Sequence, residues 1–261
     1  MYRERADAVT TDRGEGPPVL CAHGTLMDRT MFAPQVRALS DDYRVTAYDL
    51  RARTEHWAGP YGIDDLVADS LAVQDGLGMD APVFVGMSMG GFTALRLAVE
   101  HPERLSGLVL IDSMPEPHSA AERDQYGGMV DPLVDADAVP ESLAEAAAHF
   151  LFGPTTIEES PELVERWIDR WLTYRPGAVY HEVHSWLDRP GVADRLDDLS
   201  VPTLVVHGQE DQSIDPERAA PVADAAPDGR LVTISDAGHT SNLERPDAVT
   251  EAIRSFLAEV Y

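Results

Sequence analysis

Apolar positions along this chain fall into short unbroken runs, separated by longer stretches with helical spacing. The runs are 18–22, 43–48, 82–86, 107–111, 202–206 and 230–234, among them Pro82-Val83-Phe84-Val85-Gly86 and Gly107-Leu108-Val109-Leu110-Ile111. Strands covered on both faces lose the alternating pattern and read as continuous apolar segments. Between them the spacing predicts helices near 30–39, 63–77, 89–100, 216–225 and 246–260. Such alternation predicts an α/β protein with a mostly parallel, doubly wound sheet. The segment before residue 17 is polar and suits one antiparallel edge strand, or two.

Residues 113–198 break the rhythm, with no strand pattern and with helical patterns near 140–152, 161–174 and 177–188. Pro161 and Pro176 stand at helix starts, and Gly153-Pro154 reads as a stop. Leu163, Val164, Trp167, Ile168, Trp171 and Leu172 fall on one helical face. The expectation is a core of residues 1–112 and 199–261, with a helical cap over 113–198 inserted after the sixth strand.

Composition narrows the functional classes. Asp and Glu number 46 against 20 basic residues, all of them arginine, for a formal net charge of −26. That excess disfavours nucleic acid and anionic membranes as partners, since both call for basic patches. Lysine-free, acid-rich composition resembles that of proteins from salt-in halophiles. Self-repulsion should then destabilise the fold until molar salt shortens the screening length to about 3 Å. No run is long enough to span a membrane, and Met1–Arg5 lack the apolar stretch of a signal peptide. Cys21, the single cysteine, lies in an apolar run and reads as a small core residue. A reducing cytoplasm is the expected location.

The chemistry is carried by Gly86-Met87-Ser88-Met89-Gly90, which follows one apolar run and opens a helical stretch. A Gly-x-Ser-x-Gly turn between strand and helix lifts the serine hydroxyl off the sheet, beside a helix N-terminus. The backbone N–H of Met89 is thereby placed to hold an oxyanion. Thr25, in His23-Gly24-Thr25 after an earlier run, is the second candidate donor, and His23 reads as a positioning residue. His239 follows the last run, in Ala237-Gly238-His239, and is the expected base. The orienting acid is expected at Asp211, with Glu210, Asp215 and Asp112 as rivals. His207 reads as structural, and His118 lies in the loop leading into the helical segment. Trp167, Trp171, Tyr126 and Phe150 are candidates for the substrate pocket.

The order Ser88, Asp211, His239 resembles the α/β-hydrolase fold superfamily, in its capped esterase, lactonase and perhydrolase branch. His101-Pro102-Glu103-Arg104, Tyr48-Asp49-Leu50-Arg51, Gly208-x-x-Asp211 and Glu244-x-Pro246 add to the likeness. The resemblance implies a serine hydrolase acting on a small-molecule ester or lactone, with no metal and no organic cofactor. Asp49-Leu50-Arg51-Ala52-Arg53-Thr54 departs from it, because two glycines common at this loop are missing and the backbone must take another path. Serine at position 88 speaks against the dehalogenase and epoxide-hydrolase branches, which use Asp there. A perhydrolase (cofactor-free haloperoxidase) or a carbon–carbon bond hydrolase would use the same triad. A ligand receptor built on a hydrolase pocket is the non-enzymatic alternative.

Overall fold

Leu20 and Ala22 enter one hydrophobic core while Val19 and Cys21 enter another, and the neighbouring strands repeat the division. Side chains alternate across a strand, so a sheet with a core on each face needs apolar residues at every position. The structure, a computed structural model, describes residues 9–261. In chain order it contains β1 (Thr10–Arg13), β2 (Pro18–Ala22), α1 (Ala33–Leu39), β3 (Arg44–Tyr48), α2 (Ile63–Leu77), β4 (Val83–Met87) and α3 (Met89–Glu100). Then come β5 (Gly107–Ile111), α4 (Ala120–Val130), α5 (Glu141–Leu151), α6 (Pro154–Glu159), α7 (Pro161–Trp171) and α8 (Pro176–Leu187). The chain closes with β6 (Thr203–Gly208), α9 (Ala220–Ala225), β7 (Arg230–Ile234), α10 (Ser241–Glu244) and α11 (Pro246–Val260).

The seven strands lie in the order β1-β3-β2-β4-β5-β6-β7. All pair in parallel except β1, which runs antiparallel along β3. This edge is polar: the Asp12 carboxylate accepts from Thr46 Oγ1 at 2.7 Å and from Arg44 Nη2 at 2.8 Å. Cys21 is buried in its core, where burial pushes the thiol pKa up.

Five strands precede the helical segment among the described residues. The expected sixth would need a strand in residues 1–8, which lie outside them. The segment holds α4 and α6 besides the three helices predicted. Helix α4 buries only Gly127 and Val130, so its sequence carries no apolar stripe. Gly153-Pro154 ends α5 and also starts α6, with proline at the first helical position, where it is tolerated. No helix among the described residues is long and apolar enough to cross a membrane.

Candidate active site

Ser88 sits between β4 and α3 with φ +49° and ψ −112°, a backbone conformation costly for a residue with a Cβ. The turn closes only because its neighbours lack side chains. A Cβ on Gly86 would overlap the backbone of Gly90, and one on Gly90 would overlap the carbonyl of Ala22. The end of β2 is thus pressed against the start of α3. A Cβ on Gly24 would overlap the Met87 sulfur and crowd Ser88 Cβ.

Three loops at the carboxyl ends of β4, β6 and β7 bring Ser88, Asp211 and His239 together, as sites in doubly wound sheets form at such ends. His239 Nε2 lies 2.9 Å from Ser88 Oγ, and His239 Nδ1 lies 2.8 Å from Asp211 Oδ2. A carboxylate only accepts, so Nδ1–H donates to it and Nε2 is left to accept from the serine hydroxyl. Burial disfavours the His239 imidazolium, but the charge of Asp211 and its hydrogen bond outweigh this and hold the pKa above its ordinary value. Burial pushes the Asp211 carboxyl up, while the His239 charge and hydrogen bonds from His207 and His239 hold it below the usual range. Backbone N–H groups of Ser213 and Ile214 fix its other oxygen at 2.8 and 3.0 Å.

The rivals of Asp211 do other things. Glu210 accepts from the Thr155 N–H and hydroxyl, and Asp215 accepts from Glu217 N. Asp112, fully buried, accepts from Gly208 N at 2.8 Å and from Ser241 N and Oγ at 3.0 and 2.7 Å. It therefore ties the loop that begins at Gly208 to the loop that carries His239. Burial raises its pKa to about 7. His207 is more than a packing residue, since its Nε2–H points at Asp211 Oδ2 (2.9 Å) and Ile214 O (3.0 Å). Sequence spacing gave one signal for this contact, a histidine and an aspartate at i and i+4 across a tight loop. Asp112, His207 and Asp211 offer ligand atoms within 4.8 Å of one another, but their oxygens already accept from the donors just named.

Thr25 and Met89 flank the serine. Neither backbone N–H has a protein partner among the described residues, and Thr25 lines the same cavity as Ser88 and His239. His23 is fully buried, accepts from Leu50 N at 2.9 Å and meets the Gly24 carbonyl at 2.8 Å, which fixes the path of that loop.

The cavity over Ser88 has a volume of about 100 Å³ and is roofed by α4, α5, α7 and α8. Trp171, Tyr126 and Phe150 line it, as does His118. Trp167 does not. It packs in the core on the same helix as Trp171, with the Arg170 guanidinium 4.7 Å over its ring. Four positions turn a helix by more than a full revolution, so two members of one stripe can meet different surroundings.

The alpha/beta hydrolase family model matches residues 19–252. A thermophilic esterase from Thermogutta terrifontis is similar in structure, with a TM-score of 0.89 and 33% identity over 96% of this chain and 93% of that one. The enol-lactonase from Burkholderia xenovorans LB400 has a TM-score of 0.87 and 28% identity, covering 95% of each chain. In sequence, 3-oxoadipate enol-lactonase 2 of Acinetobacter baylyi is 27% identical over 259 residues, 95% of this chain and 91% of the relative.

Proposed function

The chain belongs to the alpha/beta hydrolase family, and on that premise we propose that it is a serine hydrolase cleaving a carboxylic ester or lactone through an acyl-enzyme. The observation that carries the reading is the unbroken relay from Ser88 Oγ through His239 to Asp211, at 2.9 and 2.8 Å, opening on a mainly apolar cavity. Similarity to an esterase and an enol-lactonase supports it.

In this mechanism His239 Nε2 takes the hydroxyl proton as Ser88 Oγ attacks the carbonyl carbon. Asp211 holds the imidazole in the required tautomer and offsets the charge it acquires. The N–H groups of Thr25 and Met89 receive the oxyanion. His239 then protonates the departing alkoxide, and water, deprotonated by the same nitrogen, releases the acid. We read residues 113–198 as a cap whose helices wall the acyl group off from solvent.

The test is turnover of p-nitrophenyl acetate and butyrate in molar KCl, with mapping of a fluorophosphonate label. Turnover with the label on Ser88 is expected, and Ser88→Ala should lower kcat by about 10⁴-fold or more. Stoichiometric labelling without turnover would favour a receptor. A Ser88→Ala variant with wild-type turnover would remove the serine from the mechanism.

A further inference from the structure

His118 stands apart from the relay but lines the same cavity as Ser88 and His239, in the loop that leads from β5 into the helical segment. Its Nδ1 lies 2.7 Å from Arg189 Nη1. A guanidinium can only donate, so Nδ1 accepts, and a neutral imidazole then carries its proton on Nε2. Burial and the neighbouring Arg189 charge keep the ring neutral, with a pKa lowered to about 3.

The arrangement is held from several sides. Arg189 is itself buried, donates from Nη2 to the Glu116 carbonyl at 2.6 Å, and lies 3.6 Å over the Phe92 ring. No carboxylate pairs with it within salt-bridge distance among the described residues, so the His118 bond takes a share of its charge. The His118 ring meets Phe92 and Tyr126 edge-on at 5.9 and 5.8 Å and packs 4.7 Å from Trp186. Only 4% of the residue is exposed. Its Nε2–H has no partner within the protein among the described residues. This atom is not sealed from water but open to solvent from the cavity, and a ligand that fills the cavity strips it of water unless the ligand supplies an acceptor.

We infer that His118 is a specificity-determining residue whose Nε2–H donates to a second carbonyl oxygen of the substrate, so that this site selects oxo-substituted esters or lactones over plain ones. The inference rests on the hydrolase reading above for the identity of the ligand as an ester. Arg189 acts through His118, as a positioning residue that sets the tautomer.

Binding to Ser88→Ala tests this without requiring turnover. Methyl pentanoate, methyl 3-oxopentanoate and methyl 4-oxopentanoate would be titrated calorimetrically in molar KCl. One oxo ester is expected to bind about tenfold more tightly than methyl pentanoate. Adding His118→Phe should bring the ratio to about one, and His118→Gln, which keeps an N–H donor, should retain part of it. Nitrogen NMR should find the His118 proton on Nε2, and Arg189→Met should give a mixture of tautomers. Equal affinities for oxo and plain esters, or the proton on Nδ1, would overturn the inference. An oxo preference that persists while wild-type protein turns over no ester would instead sink the hydrolase reading.

Discussion

Arg53 Nη2 meets Glu182 Oε2 at 2.8 Å where the two side chains are only 6% and 0% exposed. Arg53 ends the turn Arg51–Arg53, in the loop where the sequence departs from the family pattern, and Glu182 belongs to α8. The same carboxylate accepts from Leu26 N at 3.3 Å, while Arg53 donates to the Met27 carbonyl at 3.0 Å and lies 3.8 Å over the Tyr174 ring. Arg53, which stands between the two positions where glycine is missing (Ala52 and Thr54), thus fastens the helical segment to the loop that carries Thr25. A buried charge stripped of its partner is strongly destabilising, whereas an apolar pair of similar size is often tolerated. Glu182→Gln should cost about 3–5 kcal/mol of unfolding free energy, and Arg53→Met with Glu182→Leu should recover most of it. Denaturant titration in molar KCl measures both. A cost for Glu182→Gln within the range of surface pairs would refute the buried-pair account.

The acid limb of the pH–rate profile should report His239. A general base works unprotonated, and Asp211 holds this imidazole above its ordinary value of 6.5. Turnover should therefore fall as pH drops, with its midpoint above pH 6.5. The linkage to stability has the opposite sense. Folding favours the protonated ring, so this contribution is complete below pH 6.5 and disappears as pH rises through the folded-state value. Asp211→Asn should move the acid limb down and lower kcat by about 10⁴-fold. An unmoved limb in that variant would assign the titration to another group.

Gly90→Ala should be far more damaging than its one added methyl suggests. The new Cβ meets the carbonyls of Ala22 and His23, which are backbone atoms and cannot rotate away. Overpacking of this kind costs about 1–3 kcal/mol or more, and relief requires the elbow to move away from the loop that carries Thr25. A lower melting temperature together with loss of ester turnover is expected. Wild-type values of both would show that the turn has slack.

Salt should stabilise the protein. With 46 acidic residues against 20 arginines, screening removes more repulsion than attraction. Raising KCl from about 0.05 M to about 2 M contracts the screening length to a few ångströms. The melting temperature should rise steadily over that range. A flat or falling curve would leave the acidic composition without a role in stability.

The sequence announced the sheet because both its faces are buried: β2, β4 and β5 read as apolar runs, and α3 and α11 appear over their predicted ranges. It also marked the three loops that meet above the sheet, because turn chemistry at Gly86–Gly90 and Ala237–His239 is local. What it hid was tertiary. Helix α4 buries only Gly127 and Val130 and so shows no apolar stripe, although its Tyr126 and Met129 reach the cavity. The roles of His207 and Asp112 follow from contacts between the ends of different strands. His118 takes its tautomer from Arg189, 71 residues away, a contact that no local pattern marks. Trp167 and Trp171 share a stripe and a core cluster, yet only Trp171 reaches the cavity.

Helix α3 is registered on β2 through Gly90 and Ala22, backbone against backbone. The cavity wall, by contrast, is drawn mostly from side chains on helices that leave the sheet after β5 and return before β6, with Leu26, Phe92 and Ile214 added from outside that segment. The attacking group and most of the chamber around it therefore stand on different elements, joined at a few fixed points such as Arg53 and Glu182. Substitutions at chamber rings away from those joints, such as Tyr126 or Phe150, can reshape the space over Ser88 while the backbone contact beneath it stays as it is.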